Sequence, residues 1–245
     1  MSEWLPAGSV SPLPLPIAIG EGSVVAAWMP IAESAATDEM PDLAAAPLVD
    51  AAEAASFSIP KRAHEHASGR YVLATLLKQQ GFDVANLAIT RDENRRPSLI
   101  YRAGQSGEAL PEISIGHSNG CAVAALSLDE TWIGLDAEPL DLPRPRNLLP
   151  FMVSGEEFDY LDRLWDINEW TGMQETTRTW VVKEAVQKAC GLGMSVAPQS
   201  FTVLGREDVF LNHKQSSYRL EVHHWGELLD GRSFTFGFSR LLERV

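Results

Sequence analysis

Apolar positions along this chain change period several times, and each change marks an element boundary. Residues 23–29 form a short apolar run of strand length. From Ile59 the spacing becomes helical, with Tyr71, Val72, Ala74, Leu76 and Leu77 on an apolar side and Gly81 as a natural stop. Strand candidates follow at 86–90 and 97–101, either side of a polar corner that holds Arg95 and Arg96. Residues 113–119 and 121–128 read as two strands joined by a polar turn, and 132–138 as a third strand ending in acids. One helix opens after Ser154, and the next carries Trp180 to Ala189 before stopping at Gly191. The remaining apolar runs, 200–204, 209–211, 218–223 and 233–239, alternate like strands.

Two stretches break the pattern. Pro6, Pro12, Pro14 and Pro16 predict an irregular arm. Residues 32–55 are alanine-rich, with six acids and two prolines, and read as a variable, partly helical insertion without assigned chemistry. Ser154, followed three residues later by Glu157, has the spacing of a capping box.

Composition narrows the function class. At 245 residues the chain can bury a substantial core, and 45% hydrophobic with 22% charged residues suits a globular enzyme. No apolar run approaches the ~20 residues of a membrane helix. The first residues lack the basic stretch of a signal peptide, so a cytoplasmic location is the expectation. A formal charge of −13 argues against a general nucleic-acid binder. Cys121 and Cys190 sit in apolar segments and are expected as packed thiols rather than a disulfide or metal site.

The chemistry concentrates in two acidic motifs. Asp136 and Glu138 end a strand-like run, and alternation points both carboxylates one way with Ala137 opposite. Trp180, Glu184 and Lys188 are four residues apart, which stacks them along one helix stripe. Two strand carboxylates and a helix carboxylate could hold a hard divalent cation, and Mg²⁺ in such sites keeps positions for water and substrate phosphate. The plain alternatives are a solvated strand end and an exposed i,i+4 charge pair. A third element is the turn Gly116-His117-Ser118, where a histidine is well placed to meet an anion. His64 and His66 are two apart on a helix and make a poor metal pair, and the adjacent His223 and His224 face opposite ways.

Taken in order, these motifs resemble the 4′-phosphopantetheinyl transferases of the larger, surfactin-synthetase-associated type. That family carries a Ser-His-Ser turn, then Gly-Ile-Asp-x-Glu, then Trp-x-x-Lys-Glu-Ala/Ser-x-x-Lys-x-x-Gly. Here the matching stretches are 116–118, 134–138 and Trp180 to Gly191, and the resemblance covers roughly residues 57–205. It implies an α+β fold, a pseudo-dimer of two similar halves with the active site between them. The halves would be 1–130, including the insertion, and 131–245. It also implies transfer of the 4′-phosphopantetheine group of coenzyme A to a serine of an acyl or peptidyl carrier protein, releasing 3′,5′-ADP. A monomer is expected.

The resemblance also implies roles. Asp136, Glu138 and Glu184 would hold Mg²⁺, with Lys188 at the leaving group and Glu184 or Glu157 as base. Lys61, Arg62 and Arg70 would meet the 3′-phosphate and adenine end of coenzyme A, and Arg96, His117 and Ser118 its remaining phosphates. Trp180 is expected to pack and fix its helix, and Lys183 to meet phosphate or solvent. Two departures stand out: Arg95 occupies a family glycine position, and Gly116 stands where many relatives have serine. An acidic enzyme meeting acidic carriers needs a basic or apolar patch, and the loop with Arg144 and Arg146 is either that patch or a solvated turn. The competing functions are a non-catalytic binder of coenzyme A or carrier, and a Mg²⁺-dependent pyrophosphate hydrolase using the same residues.

Overall fold

The computed structural model describes residues 2–20, 23–31, 40–142 and 144–245. Part of the expected insertion, 32–39, and Pro143 of the arginine loop lie outside the described residues. The fold is α+β, and the chain separates into two compact units: 1–93 with 97–130, and 94–96 with 131–245.

The first unit begins with short elements: β1 (Ser2–Glu3), β2 (Ser11–Pro12), α1 (Ile17–Gly20), β3 (Val24–Pro30), β4 (Pro41–Asp42) and α2 (Ala51–Ala55). The long helix α3 (Pro60–Gln79) follows, then β5 (Leu87–Arg91), β6 (Pro97–Tyr101), β7 (Glu112–Ser118) and β8 (Cys121–Ser127). Strands β2-β3-β8-β7 form an antiparallel sheet. Helix α3 starts with proline at its first position, where no helical N–H is lost. Its Val72, Leu73, Leu76 and Leu77 pack in one cluster with Met29, Ala122, Ala124 and Leu126 of the sheet. Each large side chain buried in this way contributes about 1.5–3 kcal/mol.

The second unit contains β9 (Ile133–Pro139), α4 (Leu149–Met152), α5 (Gly155–Ile167), α6 (Glu169–Ala189), β10 (Asp208–His213), β11 (Ser216–Leu229) and β12 (Arg232–Arg244). The sheet order is β10-β11-β12-β9, again antiparallel throughout. Two glycines let α6 lie close against it. A Cβ at Gly134 of β9 would fall 1.9 Å from the Ala185 carbonyl oxygen, and one at Gly237 of β12 would fall 2.4 Å from that of Val181. Any side chain at either position would push the helix away. Because Gly237 pairs with Asp136 across β12 and β9, this close approach brings the carboxylate strand under the Lys-Glu helix.

Three sequence expectations change. Residues 200–204 are not a strand. Phe201 and Val203 are buried, but the Val203 and Leu204 N–H groups donate to Glu157 Oε1 at 2.9 and 3.0 Å, and the Phe201 carbonyl accepts from Lys183. Side chains satisfy this backbone, so it needs no ladder. The capping box does not form either: the Ser154 hydroxyl donates to the Gln199 carbonyl at 2.8 Å, and Glu157 turns inward. Finally, α6 begins at Glu169, capped by Asn168, whose side chain accepts from Thr171 N at 2.9 Å. Its first half hides as sequence because its buried positions include Thr176, Thr177 and Thr179, which do not draw an apolar stripe.

Candidate active site

Asp136 and Glu138 lie on one face of β9 and are both buried despite their charge. Glu184 and Lys188 reach them from α6. The Lys188 ammonium donates to Asp136 Oδ1 at 2.7 Å and to the Leu135 carbonyl at 2.9 Å. Burial would strip this ammonium of its proton, but Asp136 and Glu184 together outweigh that effect and leave its pKa raised. Glu184 moves the other way for an acid. Burial first, then the Asp136 charge, push its carboxyl up to about 8 against the pull of Lys188. A hydrogen bond to the Asp136 side chain and the charge of Glu138 add to the shift.

Glu138 has a cationic partner that sequence reasoning did not assign. Arg144 Nη2 forms an ion pair with Glu138 Oε1, and the guanidinium lies over the Trp180 ring, 4.6 Å from its centroid. The Arg144 backbone N–H donates to the Thr177 hydroxyl at 3.1 Å, tying the loop to α6. Arg144 is therefore turned inward, and Trp180 serves as a platform for it as well as packing beside Leu149, Met152 and Leu161. Arg146 is held outside, on Asp162 and Asp166 of α5 at 2.6 and 2.8 Å.

Oxygen donors alone form this cluster, which is the chemistry a hard divalent cation requires. Asp136 Oδ2 is buried with no hydrogen-bond donor of its own, an unsatisfied acceptor of the kind a cation would complete. Among the described residues, no three such side chains already stand at ligating geometry. In this state Arg144 holds Glu138 and Lys188 holds Asp136. The donor set fits Mg²⁺, and the internal cations account for its present arrangement.

Glu157 and Lys183 lie in the same unit but form a separate, buried pair, with Nζ to Oε2 at 2.7 Å. Lys183 also donates to the Pro198 carbonyl at 2.9 Å and to that of Phe201. It is fully buried, which corrects the expectation that it meets phosphate or solvent. Burial lowers its pKa, and Glu157 opposes the shift. The contacts of Glu157 tie α5 to α6 and to the backbone of Val203 and Leu204.

Arg96 stacks its guanidinium on Trp132, 3.9 Å from the ring centroid, at the start of the carboxylate strand. Arg95 takes φ +67°, a left-handed conformation that favours glycine and costs another residue about 1–2 kcal/mol.

In the first unit, the basic start of α3 and the His117 turn come together around Glu65. This buried acid lies 3.8 Å from Lys61 Nζ, 3.0 Å from Arg62 Nη1 and 3.4 Å from His117 Nδ1. Ser118, adjacent to His117, is buried, and its hydroxyl accepts from Asn119 Nδ2 at 3.3 Å. Lys61 and Arg62 are the accessible cations, at 56% and 61% exposure. Arg70 is buried: burial lowers its pKa to about 10 against the pull of Glu53, 2.8 Å away. Glu53 also pairs with Arg91 at 2.5 Å and approaches His66 at 3.5 Å. His66 is kept neutral, its pKa lowered to about 3 by burial and then by Arg70, Arg91 and His117. Sequence reasoning missed both organising acids. Glu65 could have been found as the lone acid in a basic run, three and four residues from Arg62 and Lys61. Glu53 could not, since it comes from the stretch read as a variable insertion.

Cys121 and Cys190 are both buried thiols outside any disulfide. Among the described residues no helix is long and apolar enough to cross a membrane. Among curated proteins, no relative matches the chain. Residues 133–236, from the carboxylate strand through most of the final hairpin, match the family model of the 4′-phosphopantetheinyl transferase superfamily. The carboxylate strand and the helix that crosses it both lie within this matched stretch.

Proposed function

We propose that this protein transfers the 4′-phosphopantetheine group of coenzyme A to a serine hydroxyl of an apo carrier protein, releasing 3′,5′-ADP. The observation that carries the reading is the cluster of buried Asp136 and Glu138 with half-buried Glu184 and Lys188 inside the matched stretch. Three carboxylates gathered with one lysine are costly to bury, and a silent binder has no physical need of them.

Attack of a hydroxyl on a diphosphate requires charge neutralisation, alignment and a proton acceptor. Asp136, Glu138 and Glu184 would hold Mg²⁺, whose chemistry here is to neutralise charge on the diphosphate and its leaving group. Lys188, fixed by Asp136 and the Leu135 carbonyl, keeps its proton and faces the same group of carboxylates, as a stabiliser of the leaving phosphate should. Glu184 is our choice of base. It stands with Asp136 and Lys188 in the carboxylate cluster, whereas Glu157 spends its oxygens on Lys183, Val203 and Leu204. Lys61, Arg62 and His117 are proposed to meet coenzyme A phosphates directly, with Ser118 shaping that turn. Arg70 would act from behind them through its buried charge. Arg96 is proposed for the same ligand, oriented by its stack on Trp132.

The test is incubation with coenzyme A, Mg²⁺ and a panel of apo carriers. Transfer adds ~340 Da to the carrier, whereas cleaved coenzyme A with an unchanged carrier would indicate hydrolysis. Bound coenzyme A with neither change across the panel would favour the silent binder.

A further inference from the structure

Arg144 is the one cation of the cluster that sequence motifs do not place there, and three observations fix it. Its backbone is tied to Thr177, its guanidinium lies on Trp180, and its Nη2 pairs with Glu138. The first two contacts involve side chains of α6 that carry no charge, so they survive whatever Glu138 binds. The third occupies an oxygen of the carboxylate that a cation at Asp136, Glu138 and Glu184 would need.

We propose that Arg144 is an exchangeable counter-ion: it holds Glu138 while no divalent cation is bound, gives that carboxylate up to the cation, and then offers its guanidinium to a phosphate of the incoming diphosphate ligand. The proposal rests on the phosphopantetheinyl-transfer reading for the identity of that ligand. Charge supports the exchange. Lys188 and Arg144 already neutralise Asp136 and Glu138, so a divalent ion arriving beside these acids makes one of the two cations redundant. Lys188 is the more firmly held, with both Asp136 and the Leu135 carbonyl as acceptors. Arg144 reaches the acids from a loop rather than from α6, with Glu138 as its carboxylate partner there. A guanidinium stacked on an indole keeps its in-plane N–H donors free, and those donors match phosphate oxygens as well as carboxylate oxygens.

The exchange predicts effects of opposite sign in one variant. In calorimetric titrations of the purified protein, Arg144→Gln should bind Mn²⁺ about tenfold more tightly, because a competing charge is gone. Arg144→Lys, which keeps the charge, should stay near wild type. With Mn²⁺ saturating, coenzyme A should bind Arg144→Gln several-fold more weakly. Asp136→Asn is the control that should lose Mn²⁺ binding. A damaged fold would weaken both ligands, so it cannot imitate this signature. Arg144→Gln binding Mn²⁺ no more tightly than wild type, while Asp136→Asn abolishes binding, would overturn the counter-ion role and leave the metal site standing. Tighter Mn²⁺ with unchanged coenzyme A would overturn the hand-over to phosphate. If wild type and Arg144→Gln both fail to bind Mn²⁺, the metal assignment falls and the exchange falls with it.

Discussion

In the first unit the clustered charges are cations neutralised from within by acids; in the second they are acids neutralised by cations. Glu53 pairs with Arg70 and Arg91 beside the neutral His66, and Glu65 holds Lys61, Arg62 and His117. Across the chain, Lys188 and Arg144 serve Asp136, Glu138 and Glu184. The scaffolds are alike, a helix of about twenty residues on a four-stranded antiparallel sheet, so the contrast lies in the side chains and not in the architecture. It teaches how each unit keeps like charges close together in a poorly solvated place: an internal counter-ion stands where a ligand charge would otherwise be needed. The two units also differ in how exposed these charges are. Lys61 and Arg62 reach solvent, while Asp136 and Glu138 are nearly covered.

The comparison is tested most severely by a pair that does not follow it. Lys183 and Glu157 are as buried as any charge in the molecule, yet every contact they make joins elements of the fold. Glu157→Gln leaves the Lys183 ammonium buried without its carboxylate, and should lower the unfolding free energy by about 3–5 kcal/mol. Turnover measured on folded protein at low temperature should stay close to wild type. Chemical denaturation with a parallel transfer assay checks both; an intact fold with lost turnover would move Glu157 into the reacting group and displace Glu184 as base.

The same asymmetry should appear as opposite responses to pH. For His66 the folded pKa of about 3 lies below the ordinary 6.5, so in that window the unfolded chain takes a proton that the fold refuses. Its contribution is complete above 6.5 and is lost as the pH falls. For Glu184 the folded value of about 8 lies above 4.5, so the fold holds a proton that the unfolded chain has released. Its contribution is complete below 4.5 and is lost as the pH rises toward 8. Each slope approaches about 1.4 kcal/mol per pH unit within its window. Hydrogen exchange followed separately in α3 and α6, without divalent metal, should therefore show the first unit loosening toward acid and the second toward base. His66→Gln should flatten the first trend and Glu184→Gln the second. Parallel pH profiles in both helices would remove the contrast.

Legibility from sequence follows the same division. Asp136 and Glu138 are two apart on a strand and Glu184 and Lys188 four apart on a helix, spacings that predict shared faces, and the structure places them so. Their counter-ions were harder to read. Arg144 reaches Glu138 through a loop whose path no periodicity encodes, and Glu53 reaches Arg70 from a segment without an apolar stripe. Helix α6 was legible only in its second half, since buried threonines satisfy their hydroxyls locally: Thr177 donates to the Met173 carbonyl at 2.9 Å, and Thr176 accepts from Trp165 Nε1 at 3.0 Å. The final strands run longer than their apolar cores suggested. Asp230 and Gly231 both take positive φ, the signature of a tight hairpin turn, and that pair was the overlooked signal. Residues 200–204 misled because burial without a ladder looks like a strand until the Glu157 acceptor is known.

A smaller effect is expected at Glu65, the acid that organises the accessible cations. Glu65→Gln removes the charge that holds Lys61, Arg62 and His117 at their present distances while keeping side-chain volume. If those three groups meet phosphate, the KM for coenzyme A should rise several-fold with kcat little changed, since contacts remote from the reacting bond give mainly uniform binding. A fall in kcat at unchanged KM would instead place this turn at the reacting bond, and the division of labour between the two units would need redrawing.

The smallest effect is expected at Arg146, and it sharpens the contrast with its neighbour two residues earlier. Both arginines were candidates for docking an acidic carrier, but the structure engages them differently. Arg144 turns inward to Glu138, whereas Arg146 lies between Asp162 and Asp166 on an exposed face of α5. A charge already flanked by two carboxylates projects little field toward a partner, and salt screens what remains. Arg146→Ala should therefore leave the carrier KM within about twofold of wild type at moderate salt. The variant also frees Asp162 and Asp166 to repel an acidic partner, so any rise should be largest at low ionic strength and vanish as salt is added. Initial rates against carrier concentration at two salt levels decide the matter. A large rise in KM that persists at high salt would mean that Arg146 leaves its aspartates to grip the carrier, and would return this loop to a docking role.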